Sequence, residues 1–209
     1  MEYSIRPQDH ELREARNTVQ GALEASKAVL PKEENIEVSL GWEDSDFIQE
    51  VDGATGRCHS PRKIELYFNS EISGWKKSLK STTAHEFAHA WFHEQKETDF
   101  ENLMFVWQQV LMDAHAQLFA EKITDYIDPV SKTASKEEIK NNWDEIREQM
   151  SKEFGEAEDI FYGNGDYPRW LGYTVAYRIG EKLLEEHDLE EFPELKRSDV
   201  LEAGDALFN

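Results

Sequence analysis

"TTAHEFAHAWFHEQ", Thr82 to Gln95, places three histidines and two glutamates in fourteen residues of a chain that holds only seven histidines. How this stretch is read decides the fold. His85, Glu86 and His89 spell H-E-x-x-H. On a helix, residues four apart stack on one face a turn apart, so both imidazoles can reach one metal ion. Glu86 follows the first histidine and lies close enough to that face to take a proton from a water activated by the ion. The same residues also carry a purely local pattern. Thr83 and Glu86 fit a capping box, which would give Glu86 an ordinary task at a helix start. The neighbours favour the metal. Phe87, Ala88, Ala90, Trp91 and Phe92 make the segment apolar enough to be buried, and burying two histidines and a glutamate without partners is costly.

A catalytic zinc ion takes three protein ligands and leaves the fourth position for water. His93 is four residues beyond His89, but eight residues of helix rise by about 12 Å, too far for one ion to hold both His85 and His93. His93 is therefore expected beside the site or at the surface. Better candidates lie in "LMDAHAQLFAEKI", residues 111–123, which offers Asp113 and His115. Two residues apart on a helix means about 200° of rotation, so only one of them can face the ion. The apolar positions Leu103, Val106, Trp107, Val110, Ala114 and Leu118 run between the two and do not choose.

Outward from the histidine cluster, the chain divides into strands before it and helices after it. Leu12, Ala15, Val19, Ala22, Leu23 and Leu30 recur at helical spacing over residues 8–30, and Pro31 closes that run. "NIEVSLGW" (35–42) and "KIELYFN" (63–69) alternate apolar and polar residues and read as strands. "VDGATGRCHSP" (51–61) between them is turn-rich, with room for a short strand of its own. From residue 71 onward the pattern is helical. It comprises the histidine helix, a long helix over 101–127, and a third over "SKEEIKNNWDEIREQM" (135–150). In that third helix Ser135 and Glu138 form a capping-box pattern, and Ile139, Trp143, Ile146 and Met150 line one face. The loop "YGNGDYP" (162–168), with Asp166 as a turn residue, precedes a last helix over 169–187. A small sheet followed by a helical body makes the class α+β, expected as a single domain over residues 1–209.

Composition bounds the partners. The net charge is −21, a surface that repels nucleic acid and anionic membranes. No run approaches the roughly eighteen apolar residues of a membrane span. The opening "MEYSIRPQDHELREARN" has no apolar signal-peptide core. The single cysteine, Cys58, forms no internal disulfide and suits a reducing compartment, so a cytoplasmic location is expected. Cys58 beside His59 is not a nucleophile pair, because adjacent residues seldom converge and no partner carboxylate is evident.

Four motifs in order carry a resemblance that spans about residues 50–186. "GATG" followed by "KIELYFN" resembles the glycine turn and strand of an uncharacterised family of predicted zinc-dependent proteases, H-E-x-x-H zincins distantly related to the gluzincins. "TTAHEFAH" resembles that family's zinc helix. "DAHAQLF" falls where it has a Glu-Gly-Leu-Ala run, and "YGNGDYPRWLGYTVAYRIG" resembles its closing Gly-Tyr helix. The resemblance implies a zincin-like fold and a zinc (Zn2+) cofactor. Carried over by position, the family's third-ligand glutamate lands on Asp113, a departure that keeps the charge and the oxygen ligand but is one methylene shorter. Register and charge type favour Asp113 over His115. In proteases of this kind a Tyr or His steadies the oxyanion, which makes Tyr173 the first candidate; Tyr177 shares its face and Arg178 adjoins them. A core role with a hydrogen-bonded hydroxyl is the plain alternative for both tyrosines.

The expected function is a zinc-dependent peptidase acting on a peptide or protein. His85, His89 and Asp113 are the expected zinc ligands, Glu86 the general base and Tyr173 a helper at the oxyanion. The rival is a zinc-binding interaction module without hydrolytic activity. The shortened ligand Asp113 favours the rival, and retention of Glu86, which no structural zinc site requires, opposes it.

Overall fold

The computed structural model describes residues 9–96 and 104–209. Leu103 and the first residues of the long helix expected over 101–127 lie outside the described residues. The described chain packs as two compact units. One lies within Met1–Glu94 and Ala120–Asp128, the other within Gln95–Phe119 and Pro129–Asn209.

The first unit begins with α1 (Asp9–Val29), which buries Ala15, Val19 and Ala22 at the spacing that the sequence shows. Pro31 follows its end, because proline cannot continue the hydrogen-bond ladder. Three strands then form one sheet: β1 (Glu37–Trp42), β2 (Ala54–Ser60) and β3 (Lys63–Phe68), with a short helix α2 (Asp46–Glu50) after β1. The order is β1-β3-β2, so the central strand is the last in sequence. β1 runs parallel to β3, with Val38 opposite Ile64 and Leu40 opposite Leu66. β2 runs antiparallel to β3 and is the expected short strand in the turn-rich connection. Alternation along β3 sends Ile64, Leu66 and Phe68 to the buried face. These three pack with Ala15, Val19, Ala54, Trp75, Leu79 and Ala90 into the unit's core. Each large side chain there contributes roughly 1.5–3 kcal/mol relative to exposure. The Phe68 and Trp75 rings meet at 5.2 Å between centroids.

The core is closed by α3 (Trp75–Lys96), the helix that carries the histidine cluster. It begins well before Thr83, which removes the capping-box reading of Thr83 and Glu86. Thr83 is an interior residue whose hydroxyl donates to the Leu79 carbonyl one turn back, at 2.7 Å. The approach of α3 to the sheet depends on Gly56 in β2. A Cβ at that position would stand 2.7 Å from Cγ of Glu86, 2.9 Å from Cδ2 of Leu66 and 3.0 Å from Cγ2 of Thr82. No side chain fits there without displacing the glutamate and Leu66 or moving the helix.

The second unit is helical: the first turns of α4 (Val106–Thr124), then α5 (Lys136–Gln149), α6 (Glu158–Tyr162), α7 (Leu171–Leu183) and α8 (Arg197–Phe208). Ser135 caps α5 as expected. Its side-chain oxygen accepts from Glu138 N at 3.2 Å, and the Glu138 carboxylate accepts from Ser135 N at 2.8 Å. Ile139, Trp143, Ile146 and Met150 are buried along one face. α7 is shorter than the expected 169–187 helix, because Trp170 turns left-handed at φ 60° immediately before it. No helix was expected beyond His187, yet α8 packs on α5. The Trp143 indole N–H donates to Asp205 Oδ1 at 2.9 Å, and Arg147 Nε donates to the same carboxylate at 3.0 Å. α4 and α7 approach closely at Gly180, where a Cβ would stand 2.6 Å from Leu118 Cδ1 and 3.0 Å from Ala114 Cβ. Gln117 on α4 ties the same pair by donating from Nε2 to the Tyr173 carbonyl at 3.1 Å.

Candidate metal centre

On α3, His85 and His89 sit one turn apart, and their Nε2 atoms lie 2.9 Å from each other. The rings stand edge to face, 4.6 Å between centroids and 81° between planes. Two imidazoles that bind one tetrahedral zinc at about 2.0–2.1 Å hold their nitrogens roughly 3.3 Å apart, so this pair is close to a ligating arrangement already. His89 is buried and His85 half-buried. Between them in sequence, Glu86 is buried at 7% exposure, its stem against Gly56 of β2.

Asp113, on α4, is buried at 2% exposure. Its Oδ2 accepts a hydrogen bond from Nε2 of Gln109, one turn earlier, at 2.5 Å. One ligand atom from each of His85, His89 and Asp113 lies within 4.8 Å of the others, so these three form a group able to hold a metal ion. Two imidazoles and one carboxylate are a donor set suited to zinc, and three protein ligands leave a position open.

His115 is not in that group. It is fully buried, with its ring stacked on Phe119 at 6.3 Å and tilted against Phe192 at 5.9 Å. His93 is also no member, but it is not at the surface: it is buried at 4% exposure. Burial, and after it the charge of His89, holds its pKa down at about 3, so it is neutral at physiological pH.

Tyr173 is half-buried in a cluster of rings, 4.9 Å from Phe161, 5.5 Å from Trp170 and 6.1 Å from Tyr162. Tyr177 is buried. Arg178 turns to Glu181, to which it donates at 2.7 Å. Asp166 lies exposed in the turn before α7. Cys58 donates from Sγ to the Ser60 carbonyl at 3.3 Å, while His59 pairs with Glu65 at 3.1 Å. Burial, and after it the carboxylate of Glu86, pushes the Cys58 thiol far up, which suits an inert thiol rather than a nucleophile.

Two residues of this region were not singled out from the sequence. Gly56 stood only as part of a turn motif, and nothing in a one-dimensional pattern says what its missing Cβ makes room for. Gln109 precedes Asp113 by four residues, and that spacing is the one signal that could have found it.

Among the described residues, no helix is long and apolar enough to cross a membrane. No curated protein and no solved structure matches the chain significantly. A family model described as "Predicted Zn-dependent protease (DUF2268)" matches residues 15–202. The match covers most of the chain, including the strands, the histidine helix, Asp113 and α7, and the chain belongs to this family of predicted Zn-dependent proteases.

Proposed function

We propose that the chain is a zinc-dependent peptidase with a zincin-like fold, hydrolysing peptide bonds of a peptide or protein in the cytoplasm. The observation that carries this reading is the convergence of ligand atoms from His85, His89 and Asp113 within 4.8 Å, with the buried Glu86 next to the first of them. The family description supports the same chemistry.

His85 and His89 would hold zinc through Nε2, and Asp113 through a carboxylate oxygen. Zinc there supplies Lewis acidity, which makes a water acidic near neutral pH and polarises a carbonyl. Glu86 takes the proton of the attacking water on its carboxylate and delivers it to the leaving amine nitrogen. The close fit of Gly56 against the Glu86 stem limits the rotamers that this base can adopt. Tyr173 would donate its hydroxyl to the oxyanion. The acidic surface and the site chemistry leave a polypeptide as the proposed partner, without nucleic acid or membrane.

The test begins with elemental analysis of protein purified without affinity metals. About one zinc per chain is expected in the wild type and sharply less in Asp113→Ala. Glu86→Gln retains the zinc and loses hydrolysis by about 10²–10⁴-fold on any peptide that the wild type cleaves. Wild-type protein that takes up no zinc from excess metal defeats the proposal. Zinc with unaltered hydrolysis in Glu86→Gln would remove the mechanism.

A further inference from the structure

We infer that Gln109 is the positioning residue for the third zinc ligand: its side-chain amide grips Oδ2 of Asp113 and presents the other carboxylate oxygen for a metal ion. The inference rests on the zinc reading above and extends it to a residue that does not itself touch the ion.

The geometry starts from the helix. Gln109 and Asp113 are four apart on α4, so their side chains lie on the same face, one turn from each other. Gln109 Nε2 donates to Asp113 Oδ2 at 2.5 Å, so amide and carboxylate are in direct contact. Asp113 is 2% exposed, so solvent does little to stabilise its charge or fix its orientation. An aspartate has two side-chain torsions, and an oxygen held by a donor from the same helix removes most of their freedom. With Oδ2 bound to Gln109, the inference gives the metal the other oxygen, Oδ1, and makes Asp113 a one-oxygen ligand.

A neutral amide suits this role. A lysine or arginine would hold the carboxylate too, but it would set a second positive charge against the metal. A carboxylate in its place would repel Asp113. Gln109 donates without changing the net charge of the site. Such outer partners orient the ligand, and their loss typically costs 10–100-fold in metal affinity.

The experiment measures the zinc Kd of the full-length protein by competition with a chromophoric chelator, for wild type, Gln109→Met and Gln109→Asn. Methionine keeps the length and loses the donor; asparagine keeps the amide and loses the reach. Cobalt-substituted samples give the visible spectrum of the same site, and the Tm of metal-free protein records folding. The expected result is a zinc Kd weakened 10–100-fold in both variants, a changed cobalt spectrum, and metal-free Tm values near that of the wild type. A zinc Kd within twofold of wild type in either folded variant overturns the inference while the zinc reading stands. A lowered metal-free Tm with unchanged Kd and spectrum assigns Gln109 to folding alone and overturns it too. Wild-type protein without zinc binding overturns the zinc reading and this inference with it.

Discussion

Gly56 of β2 and Glu86 of α3 meet so closely that a single added carbon has no room: a Cβ on Gly56 would stand 2.7 Å from Cγ of Glu86. The sheet thus touches the proposed general base along its stem, while that contact does not involve His85 or His89, the proposed zinc ligands on the same helix.

Gly56→Ala separates the two. The extra methyl forces Glu86 and Leu66 to shift and crowds Thr82, at a cost of roughly 1–3 kcal/mol in stability. Zinc content is expected to stay near one per chain while hydrolysis falls, because the base is displaced and the ligands are not. Thermal unfolding, metal analysis and turnover on the same sample check this. Equal activity in Gly56→Ala and wild type would show that Glu86 accommodates the methyl without cost to function.

His93 gives the chain a specific sensitivity to acid. Burial holds the native imidazole neutral down to about pH 3. The unfolded imidazole takes up its proton near the ordinary value of about 6.5. Between those two values the unfolded state binds more protons, so stability falls as the pH falls, by at most about 1.4 kcal/mol per unit. Above the upper value both states are neutral and the contribution is flat; below the lower value both are protonated and no further loss follows. His93→Gln is expected to flatten the pH dependence of unfolding free energy between pH 6.5 and pH 4, measured by denaturant titration of chelator-treated protein. Parallel curves for the two proteins would show that His93 opens to solvent before it protonates.

Lys32 and Glu94 form a nearly dry ion pair, Nζ to Oε1 at 3.0 Å, with the lysine side chain 1% exposed. Glu94 Oε1 also accepts from Glu34 N at 3.1 Å, and Trp91 Nε1 donates to the Pro31 carbonyl at 3.1 Å. Together these bonds fasten the segment after α1 to the later turns of α3. Lys32→Met leaves the half-buried Glu94 carboxylate without its cation and is expected to cost about 1–3 kcal/mol. Adding Glu94→Leu should recover most of that loss, since a paired apolar replacement removes the stranded charge. Urea midpoints of the wild type, the two single variants and the double variant close the cycle; a single-variant loss below about 1 kcal/mol would mean that water reaches Glu94 once the lysine is gone.

Several elements were legible because their determinants are local. The Ser135 and Glu138 cap, the buried face of Ile139, Trp143, Ile146 and Met150, the alternation of β3, and the one-turn spacing of His85 and His89 each depend on neighbours within a few residues. Those parts of the structure match the sequence reading closely. Elsewhere the local signal was ambiguous. Thr83 and Glu86 satisfy the capping pattern, but α3 starts at Trp75, and Thr83 spends its hydroxyl on the helix interior.

The sequence by itself determined the α+β order, the histidine helix and the pair of candidates Asp113 and His115. It had no means of ordering that pair by pattern, because every residue from Val110 to Ala120 is buried and α4 shows no polar side to orient it. Tertiary structure set His115 against Phe119 and Phe192, and among the described residues His85, His89 and Asp113 are the group that could hold a metal ion. It also decided the closeness of Gly56 to Glu86 and the packing of α8 on α5. The physical reason is range: hydrogen-bond periodicity and capping act over one turn of chain. Which buried face meets which ligand, by contrast, depends on contacts between segments tens of residues apart, and only the packed chain brings those together.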